Sequence, residues 1–194
     1  MRSKPLTKKI ISGEFKGKSL ELPSKVTTRS SKTIVLESFF NTVQFEIIDA
    51  TFVEVFSGSG SIGLESLSRG ASHVLFMEQD REAQKVLRKN IEQTDPSRCD
   101  VFAGDSFVNI QQVVKQLKAN GEEAYFYVDP PFSFREGMEA IYDKTMALIA
   151  DLPPELVKMV IIEHMSGLEL PQQLGSFEKT KSKKFGKTSL TYYC

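Results

Sequence analysis

Short apolar runs alternate with longer segments along the chain from about residue 52 onward. The apolar runs, rich in β-branched and aromatic residues, predict strands at residues 52–56, 73–78, 100–103, 124–129 and 158–164. The segments between them predict helices at residues 61–69, 81–93, 107–119 and 135–150. Such alternation is typical of βα units, so we expect a parallel sheet with helices on both faces.

Both ends of the chain follow a different pattern. Residues 177–181 and 189–193 flank a turn at Gly186, which predicts an antiparallel hairpin at the end of the sheet. Residues 9–11 and 19–22 flank Gly13 and Gly17 and predict a small β-hairpin, followed by a helix at residues 33–43. We therefore expect an N-terminal extension at residues 1–45 and an α/β domain at residues 46–194.

The composition indicates a cytoplasmic globular protein. The chain has 194 residues, 40% of them hydrophobic, which is enough for a sizeable core. No apolar run approaches the roughly 20 residues that cross a bilayer, and no secretory signal is recognisable. Cys99, Cys194, His73 and His164 show no spacing typical of a zinc site. We expect neither a disulfide framework nor a bound metal.

The net charge is zero, but the charges are unevenly distributed. Residues 1–32 contain nine Lys and Arg residues against Glu14 and Glu21, and a second group of lysines lies between residues 179 and 187. The ordinary interpretation is that both groups are solvated loops or tails. The alternative is a surface for nucleic-acid phosphates, because clustered cations gain affinity by displacing counterions.

A glycine-rich turn follows the first strand of the α/β domain. Gly58, Gly60 and Gly63 form the pattern G-x-G-x-x-G where that strand leads into a helix. Glycines permit a tight turn close to a ligand, and the helix N-terminus supplies unpaired N–H groups. Glu78 ends the second strand 20 residues after Gly58, which is also the dinucleotide-binding pattern. The spacing alone fits both NAD and S-adenosylmethionine, because both carry a ribose whose hydroxyl groups bind a carboxylate.

Acidic residues near successive strand ends favour S-adenosylmethionine. Glu54, inside the first strand, can meet the amino group of a methionine moiety but would repel a pyrophosphate. Asp105 can accept a hydrogen bond from the adenine amino group, or it can simply cap the helix that follows. We predict a cofactor site whose residues come from the three strand ends and the turn: Glu54, Phe56, Gly58, Ser59, Gly60, Gly63, Glu78, Asp105 and Ser106.

The tetrapeptide Asp129, Pro130, Pro131 and Phe132 stands at the end of the fourth strand. The two prolines fix the backbone and remove two N–H donors, which leaves a rigid group of acceptors. Asp129 and the Pro130 carbonyl can each accept one hydrogen of an aromatic exocyclic amine and thereby aim its lone pair at a methyl donor. Phe132 offers a π-face to the target base. The ordinary alternative is that the prolines end a strand and Phe132 belongs to the core.

Three stretches of the chain also resemble a known enzyme family. Residues 10–20 (IISGEFKGKSL), 56–60 (FSGSG) and 129–132 (DPPF) are similar to motifs of the RsmD-type 16S ribosomal RNA guanine-N2 methyltransferases, which are class I methyltransferases. The resemblance implies a Rossmann-like α/β fold with a seven-stranded, mostly parallel sheet, S-adenosyl-L-methionine as cofactor, and a guanine N2 of small-subunit ribosomal RNA as acceptor. It also implies that the basic extension grips RNA, for which we select Lys16, Lys18 and Arg29.

The chain departs from the family pattern around residues 29–41, where a proline and an arginine of that pattern are replaced. This departure concerns the substrate contacts more than the chemistry. Three other functions remain open: methylation of another planar amine such as adenine N6 or a protein glutamine, RNA binding without catalysis, and, last, NAD-dependent oxidoreduction. We expect a monomer that acts on ribosomal RNA or the small-subunit ribosomal particle and needs neither a membrane nor a metal.

Overall fold

The computed structural model describes residues 6–23, 33–131 and 140–194. The strands within these ranges are β1 Thr7–Lys9, β2 Ser19–Glu21, β3 Thr51–Val55, β4 His73–Glu78, β5 Cys99–Ala103, β6 Ala124–Val128, β7 Val157–Met165, β8 Gln173–Leu174, β9 Phe177–Phe185 and β10 Thr188–Tyr193. The helices are α1 Thr33–Thr42, α2 Ser61–Ser68, α3 Arg81–Glu92, α4 Ser106–Asn120 and α5 Ile141–Ala150. None of these helices combines the length and the apolar character that a membrane span requires.

Strands β3 to β10 form one mixed sheet in the order β5-β4-β3-β6-β7-β10-β9-β8. The five strands β3 to β7 are parallel, and β10 runs antiparallel to both β7 and β9. This is the expected Rossmann-like α/β fold with its C-terminal antiparallel hairpin. The described sheet has eight strands where we predicted seven, because the two-residue β8 pairs with the start of β9.

Helices cover both faces of the sheet, as expected from the apolar strands. On the first face, α1, α2 and α3 bury side chains such as Phe39, Leu64 and Leu87 against Phe52 of β3. On the second face, α4 and α5 pack against the intervening positions of the same strands, among them Val53. Because successive residues of a strand point to opposite faces, each parallel strand contributes to both halves of the core.

The N-terminal hairpin packs on the first face through Ile10, Phe15 and Leu20, which are all buried there. Its first strand covers residues 7–9 and not 9–11 as predicted. The reason is that Ile11 and Ser12 leave the hairpin and donate their backbone N–H groups to the carboxylate of Glu65 on α2, at 2.7 and 3.2 Å. The hairpin is therefore bonded to the α/β core by its backbone as well as by apolar contacts.

Candidate active site

The carboxyl ends of the parallel strands meet along one border of the sheet, which we call the carboxyl edge. Val55 pairs with Met77 on one side and with Val128 on the other, and Glu78 pairs with Ala103. Chain order reverses between β3 and β6, and open α/β sheets bind ligands in the crevice at such a reversal. The structure thus brings the glycine turn, Glu78, Asp105 and Asp129 to this edge of the sheet, and their roles in binding and catalysis remain predictions.

The glycine turn between β3 and α2 has an unusual backbone. Phe56, Gly58 and Gly60 adopt positive φ angles of 62°, 55° and 76°. Glycine tolerates this conformation, but Phe56 is strained by it and must be held by its surroundings. Ser57 provides part of that support, since its Oγ donates to the Glu54 carbonyl at 2.7 Å and accepts the Met77 N–H at 3.0 Å. The hydroxyl at position 57 therefore ties the turn to β4.

The glycines of this turn have different surroundings. A Cβ on Gly60 would lie 2.3 Å from Leu87, and one on Gly63 would lie 2.4 Å from Phe76. A Cβ on Gly58 would meet no atom within 4 Å. Gly60 and Gly63 thus serve helix packing, whereas Gly58 borders open space that a ligand can approach.

Glu54 is buried beneath the start of α2. Its carboxylate accepts the backbone N–H of Gly63 at 2.8 Å and that of Ile62 at 3.3 Å. Burial raises the pKa of Glu54 to about 8, while these hydrogen bonds and the nearby Lys8 act in the opposite direction. The carboxylate thus accepts hydrogen bonds from N–H groups at the helix N-terminus. A dinucleotide phosphate would need the same groups.

Glu78 is the last residue of β4, and Asp105 lies in the loop between β5 and α4. Glu78 accepts the N–H of Gly58 at 2.6 Å through Oε2 and the N–H of Asp80 at 2.7 Å through Oε1. A carboxylate has about four acceptor positions, so Glu78 can still accept a ligand hydroxyl. Asp105 is exposed and caps α4 by accepting the N–H of Phe107 at 2.9 Å, which leaves its Oδ2 for another donor. Ser106 follows as a buried residue in the first turn of α4.

An aromatic pocket lies between these junctions. The rings of Phe56 and Phe107 are 5.6 Å apart and tilted by 59°. Pro131 and Ile141 complete the pocket wall beside Asp105. Two aromatic rings next to a free carboxylate oxygen suit a planar base with an amino group.

The tetrapeptide begins directly after β6. Asp129 is half-buried, Pro130 is buried, and Pro131 reaches the aromatic pocket. Phe132 lies outside the described residues, as does Arg29. The other two residues selected for RNA contact lie on the hairpin, where Lys16 is exposed and the Lys18 Nζ donates to the Gln93 carbonyl. The roles of Phe132, Arg29, Lys16 and Lys18 in binding or catalysis remain predictions.

The sequence analysis missed three charged or polar residues at the carboxyl edge. Tyr127 donates to the Glu163 carboxylate at 2.7 Å, and both side chains are buried. Because Val128 pairs with Ile162, Glu163 stands level with Asp129 on the neighbouring strand. Lys8 of the hairpin reaches the same region: burial lowers its pKa, while the charges of Glu163, Glu54, Glu65 and Asp129 act to raise it. Glu163 is an acidic residue near the end of the apolar segment MVIIEH, and this pattern could have identified it from the sequence.

A buried amide joins the hairpin to the glycine turn. The Nδ2 of Asn90 on α3 donates to the Glu21 carbonyl of β2 and to the Ser59 carbonyl of the turn, both at 2.9 Å. Its Oδ1 accepts the Glu21 N–H at 2.8 Å. One side chain therefore fixes two segments that lie far apart in the sequence.

Comparison with known families agrees with this arrangement of strand ends. The family described as conserved hypothetical protein 95 matches residues 8–194, almost the whole chain. The chain belongs to this family. The matched residues include the glycine turn and Asp129, and together with the named relatives the match confirms the expected likeness to RsmD-type methyltransferases.

Relatives of this family member carry methyltransferase names. This chain is 27% identical to YlbH of Bacillus subtilis, which is named provisionally as an rRNA methyltransferase. The match extends over 188 residues, 95% of this chain and 97% of the relative. The chain is 32% identical over 144 residues, 74% of this chain and 67% of the relative, to ribosomal RNA small subunit methyltransferase D of Escherichia coli. The solved structure of the Escherichia coli protein yhhF has the same fold, with a TM-score of 0.75, 24% identity and 97% coverage of each chain.

Proposed function

We propose that this protein transfers a methyl group from S-adenosylmethionine to the exocyclic N2 amine of a guanine in small-subunit ribosomal RNA. The observation that carries the proposal is the position of Asp129, Pro130 and Pro131 directly after β6, next to the strand that leads into the glycine turn. A target amine at the tetrapeptide and a cofactor at the turn would share one crevice.

The residues of the crevice fit the parts of S-adenosylmethionine. The Glu78 carboxylate suits the ribose hydroxyl groups, the Phe56 and Phe107 rings suit the adenine ring, and Asp105 suits the adenine amino group. Glu54 already accepts the helix N–H groups that a pyrophosphate would need, and a nearby ammonium group would favour its ionised form. When bound, the cofactor supplies an electrophilic methyl group. These contacts favour S-adenosylmethionine over NAD.

Asp129 and the Pro130 carbonyl supply the acceptors for the target amine. The nitrogen lone pair of an aromatic amine is delocalised into the ring, and hydrogen bonds to both N–H groups draw it back to the nitrogen. The rigid backbone of Pro130 and Pro131 holds these acceptors in place, so positioning carries most of the catalysis. The methylated nitrogen is acidic and loses one proton, which the Asp129 carboxylate that holds the amine would accept. Phe132 remains our candidate for stacking on the base.

The choice of RNA rests on the relatives and on the charge of the extension. The named relatives are rRNA methyltransferases, and the basic residues of the hairpin include the exposed Lys16. Clustered cations bind nucleic-acid phosphates by displacing counterions. The guanine N2 position comes from the family likeness, since the acceptors described above would serve any planar amine.

Transfer of labelled methyl groups tests the proposal. The wild-type protein, S-adenosylmethionine and small-subunit particles from a strain that lacks the gene should give labelled rRNA, with N2-methylguanine as the labelled nucleoside in mass spectrometry. Asp129→Ala should lower kcat by about 10²-fold or more, because a fixed acceptor of the transition state is lost. Asp143→Ala, which removes an exposed carboxylate on α5, should keep wild-type activity.

Binding of S-adenosylhomocysteine separates catalysis from folding. Asp129→Ala should keep the thermal stabilisation that this ligand gives the wild-type protein, since Asp129 contacts the amine and not the cofactor. Labelling of DNA or of a protein instead of rRNA would reject the RNA assignment. Stabilisation by NADH but not by S-adenosylhomocysteine would reject the cofactor assignment.

A further inference from the structure

Lysines are concentrated on and beside β9, near one end of the strand order. The N-terminal hairpin contacts α3 near the other end. We call Lys179, Lys181, Lys183, Lys184 and Lys187 the β9 lysine strip. Lys181, Lys184 and Lys187 are exposed, while Lys179 and Lys183 are half-buried. The ligand that we infer for this strip rests on the proposed function, the methylation of RNA.

One ordinary role for such lysines is protection of an open strand edge. β8 pairs with β9 only at Phe177 and Glu178, and the Lys179 N–H bonds to the Gln172 carbonyl at 2.8 Å. Beyond Lys179, the outer edge of β9 meets no other strand in the described part of the chain. Edge lysines discourage pairing with the edge of another molecule. This role explains why lysines are present, but it does not require that they lack acidic partners.

The strip carries positive charge that nearby carboxylates do not compensate. Lys85, Lys89 and Arg98 each form an ion pair with an acidic side chain, whereas no lysine of the strip does so within the described residues. The Lys183 Nζ donates instead to the Ser38 hydroxyl of α1 at 3.1 Å. Burial lowers the pKa of Lys183, and the charge of Lys181 lowers it further. Crowded like charges of this kind are stabilised when they bind an anion.

The position of the strip relative to Asp129 decides which part of a substrate it can reach. Thr188 pairs with both Met165 and Phe185, so the turn between β9 and β10 lies at the carboxyl edge of the sheet. The order β6-β7-β10-β9 separates Asp129 from this turn by three strand spacings, or about 14 Å at about 4.8 Å each. A phosphate bound at this turn would therefore belong to the RNA near the target base and not to the target nucleotide itself.

We propose that Lys184 and Lys187, at the carboxyl-edge end of the β9 lysine strip, bind backbone phosphates of the RNA about 14 Å from the site of the methylated base. Lys183 and Lys181 lie on the face of β9 that contacts α1, opposite to Lys184, and add positive charge along the strand. The hairpin at the C-terminus thereby holds the substrate on one side of the crevice.

A charge-matched pair of double variants tests this assignment. Lys184→Gln with Lys187→Gln should raise the KM for small-subunit particles roughly tenfold and leave kcat within about twofold, because phosphate contacts position the RNA without taking part in methyl transfer. The slope of log affinity for the RNA against log salt concentration should become shallower by about 1.4–1.8, at roughly 0.7–0.9 for each phosphate contact. The control is Lys115→Gln with Lys158→Gln, which removes the same charge from exposed positions that form no ion pair among the described contacts and should leave both quantities at the wild-type values.

Each possible result decides the matter. Equal KM values and salt slopes for the two double variants and the wild-type protein would overturn the phosphate contact while the methyltransferase function stands. Aggregation of the β9 double variant with an unchanged KM would also overturn it and leave edge protection as the role of the strip. If the wild-type protein labels no rRNA, both the proposed function and this contact are rejected. Unchanged stabilisation by S-adenosylhomocysteine in all variants shows that each protein is folded.

Discussion

Glu54 shows how one residue can serve both the fold and the candidate site. Its carboxylate is fully buried and yet placed at the N-terminus of α2, where the helix dipole and two N–H groups favour negative charge. Burial has the larger effect and raises the pKa from its ordinary value of 4.5 to about 8. Between these two values the folded protein binds more protons at this position than the unfolded chain does.

The raised pKa of Glu54 predicts the pH dependence of stability. Because the folded state holds the extra proton, the free energy of unfolding contributed by Glu54 should fall as the pH rises from about 4.5 to about 8. Glu54→Gln removes the titration and should flatten this part of the curve. Urea denaturation at pH 5, 6, 7 and 8 measures the effect, with the exposed Glu123→Gln as the control that should retain the wild-type slope. Equal slopes for wild-type protein and Glu54→Gln would contradict the prediction.

The residues at the carboxyl edge differ in how far the sequence reveals them. Glu78, Asp105 and Asp129 follow recognisable strands, so their convergence could be predicted from the order of elements. Lys8 and Tyr127 could not be found in this way. Lys8 comes from a hairpin whose docking depends on tertiary hydrogen bonds, and Tyr127 looks like any aromatic residue of a buried strand until its hydroxyl is seen to donate to Glu163. Partners that are distant in sequence carry no local signature.

At the scale of elements, the contact between α2 and β4 depends on the absence of a side chain at Gly63. A Cβ there would approach Phe76 Cε1 to 2.4 Å and Val74 Cγ1 to 2.7 Å, and both residues are fully buried. The backbone N–H of the same residue donates to Glu54. A shift of α2 to relieve the clash would therefore also disturb the start of the helix beside the candidate cofactor site.

Gly63→Ala should destabilise the protein by about 1–3 kcal/mol, the usual cost of overpacking a core. The matched control is Gly167→Ala, because a Cβ at that position meets no atom within 4 Å and the φ angle is not positive. Thermal and urea denaturation of both variants measure the difference, and the control should stay within about 0.5 kcal/mol of the wild-type protein. A Gly63→Ala protein as stable as the Gly167→Ala protein would show that Phe76 and Val74 can move aside.

The elements themselves were largely predictable, and the differences have local causes. The five parallel strands and the helices between them follow from apolar runs that lie in a buried sheet. β8 was missed because two residues, Gln173 and Leu174, contain no periodicity. The predicted helix at residues 135–150 is described from Ile141 onward as α5, and its first part lies outside the described residues.

At the scale of the whole molecule, we expected an extension at residues 1–45 and a domain at residues 46–194, and this division remains a prediction. The described contacts show that the two parts share one core, in which Ile10, Phe15 and Leu20 pack with residues of α1, α2 and α3. Polar contacts add to this, since Ser68 of α2 accepts the Phe15 N–H at 2.9 Å through its Oγ. We infer that the hairpin and the α/β core fold together.

Substitution of Asn90 can test how strongly the hairpin and the α/β core are coupled. Its fully buried side chain makes three hydrogen bonds, two to Glu21 of the hairpin and one to Ser59 of the glycine turn. Asn90→Ala would leave the Glu21 N–H and two carbonyl groups without their partner. Each buried polar group that loses its hydrogen bond costs about 1–3 kcal/mol. Loss of stability is therefore expected, but stability alone would not show that the hairpin and the turn are coupled.

The coupling predicts that Asn90→Ala affects ligand binding as well as folding. Without the bond to Ser59, the turn loses one of its fixed points, so affinity for S-adenosylhomocysteine should fall by about tenfold, or about 1.4 kcal/mol. Isothermal titration at a temperature where the variant is folded measures this, with Gln93→Ala as the control, because Gln93 is an exposed amide whose side chain bonds only to the Lys89 carbonyl among the described contacts. Wild-type affinity in a destabilised Asn90→Ala protein would mean that Asn90 anchors the hairpin without positioning the turn. Reduced affinity in Asn90→Ala and wild-type affinity in Gln93→Ala would mean that the hairpin, α3 and the cofactor site act as one unit.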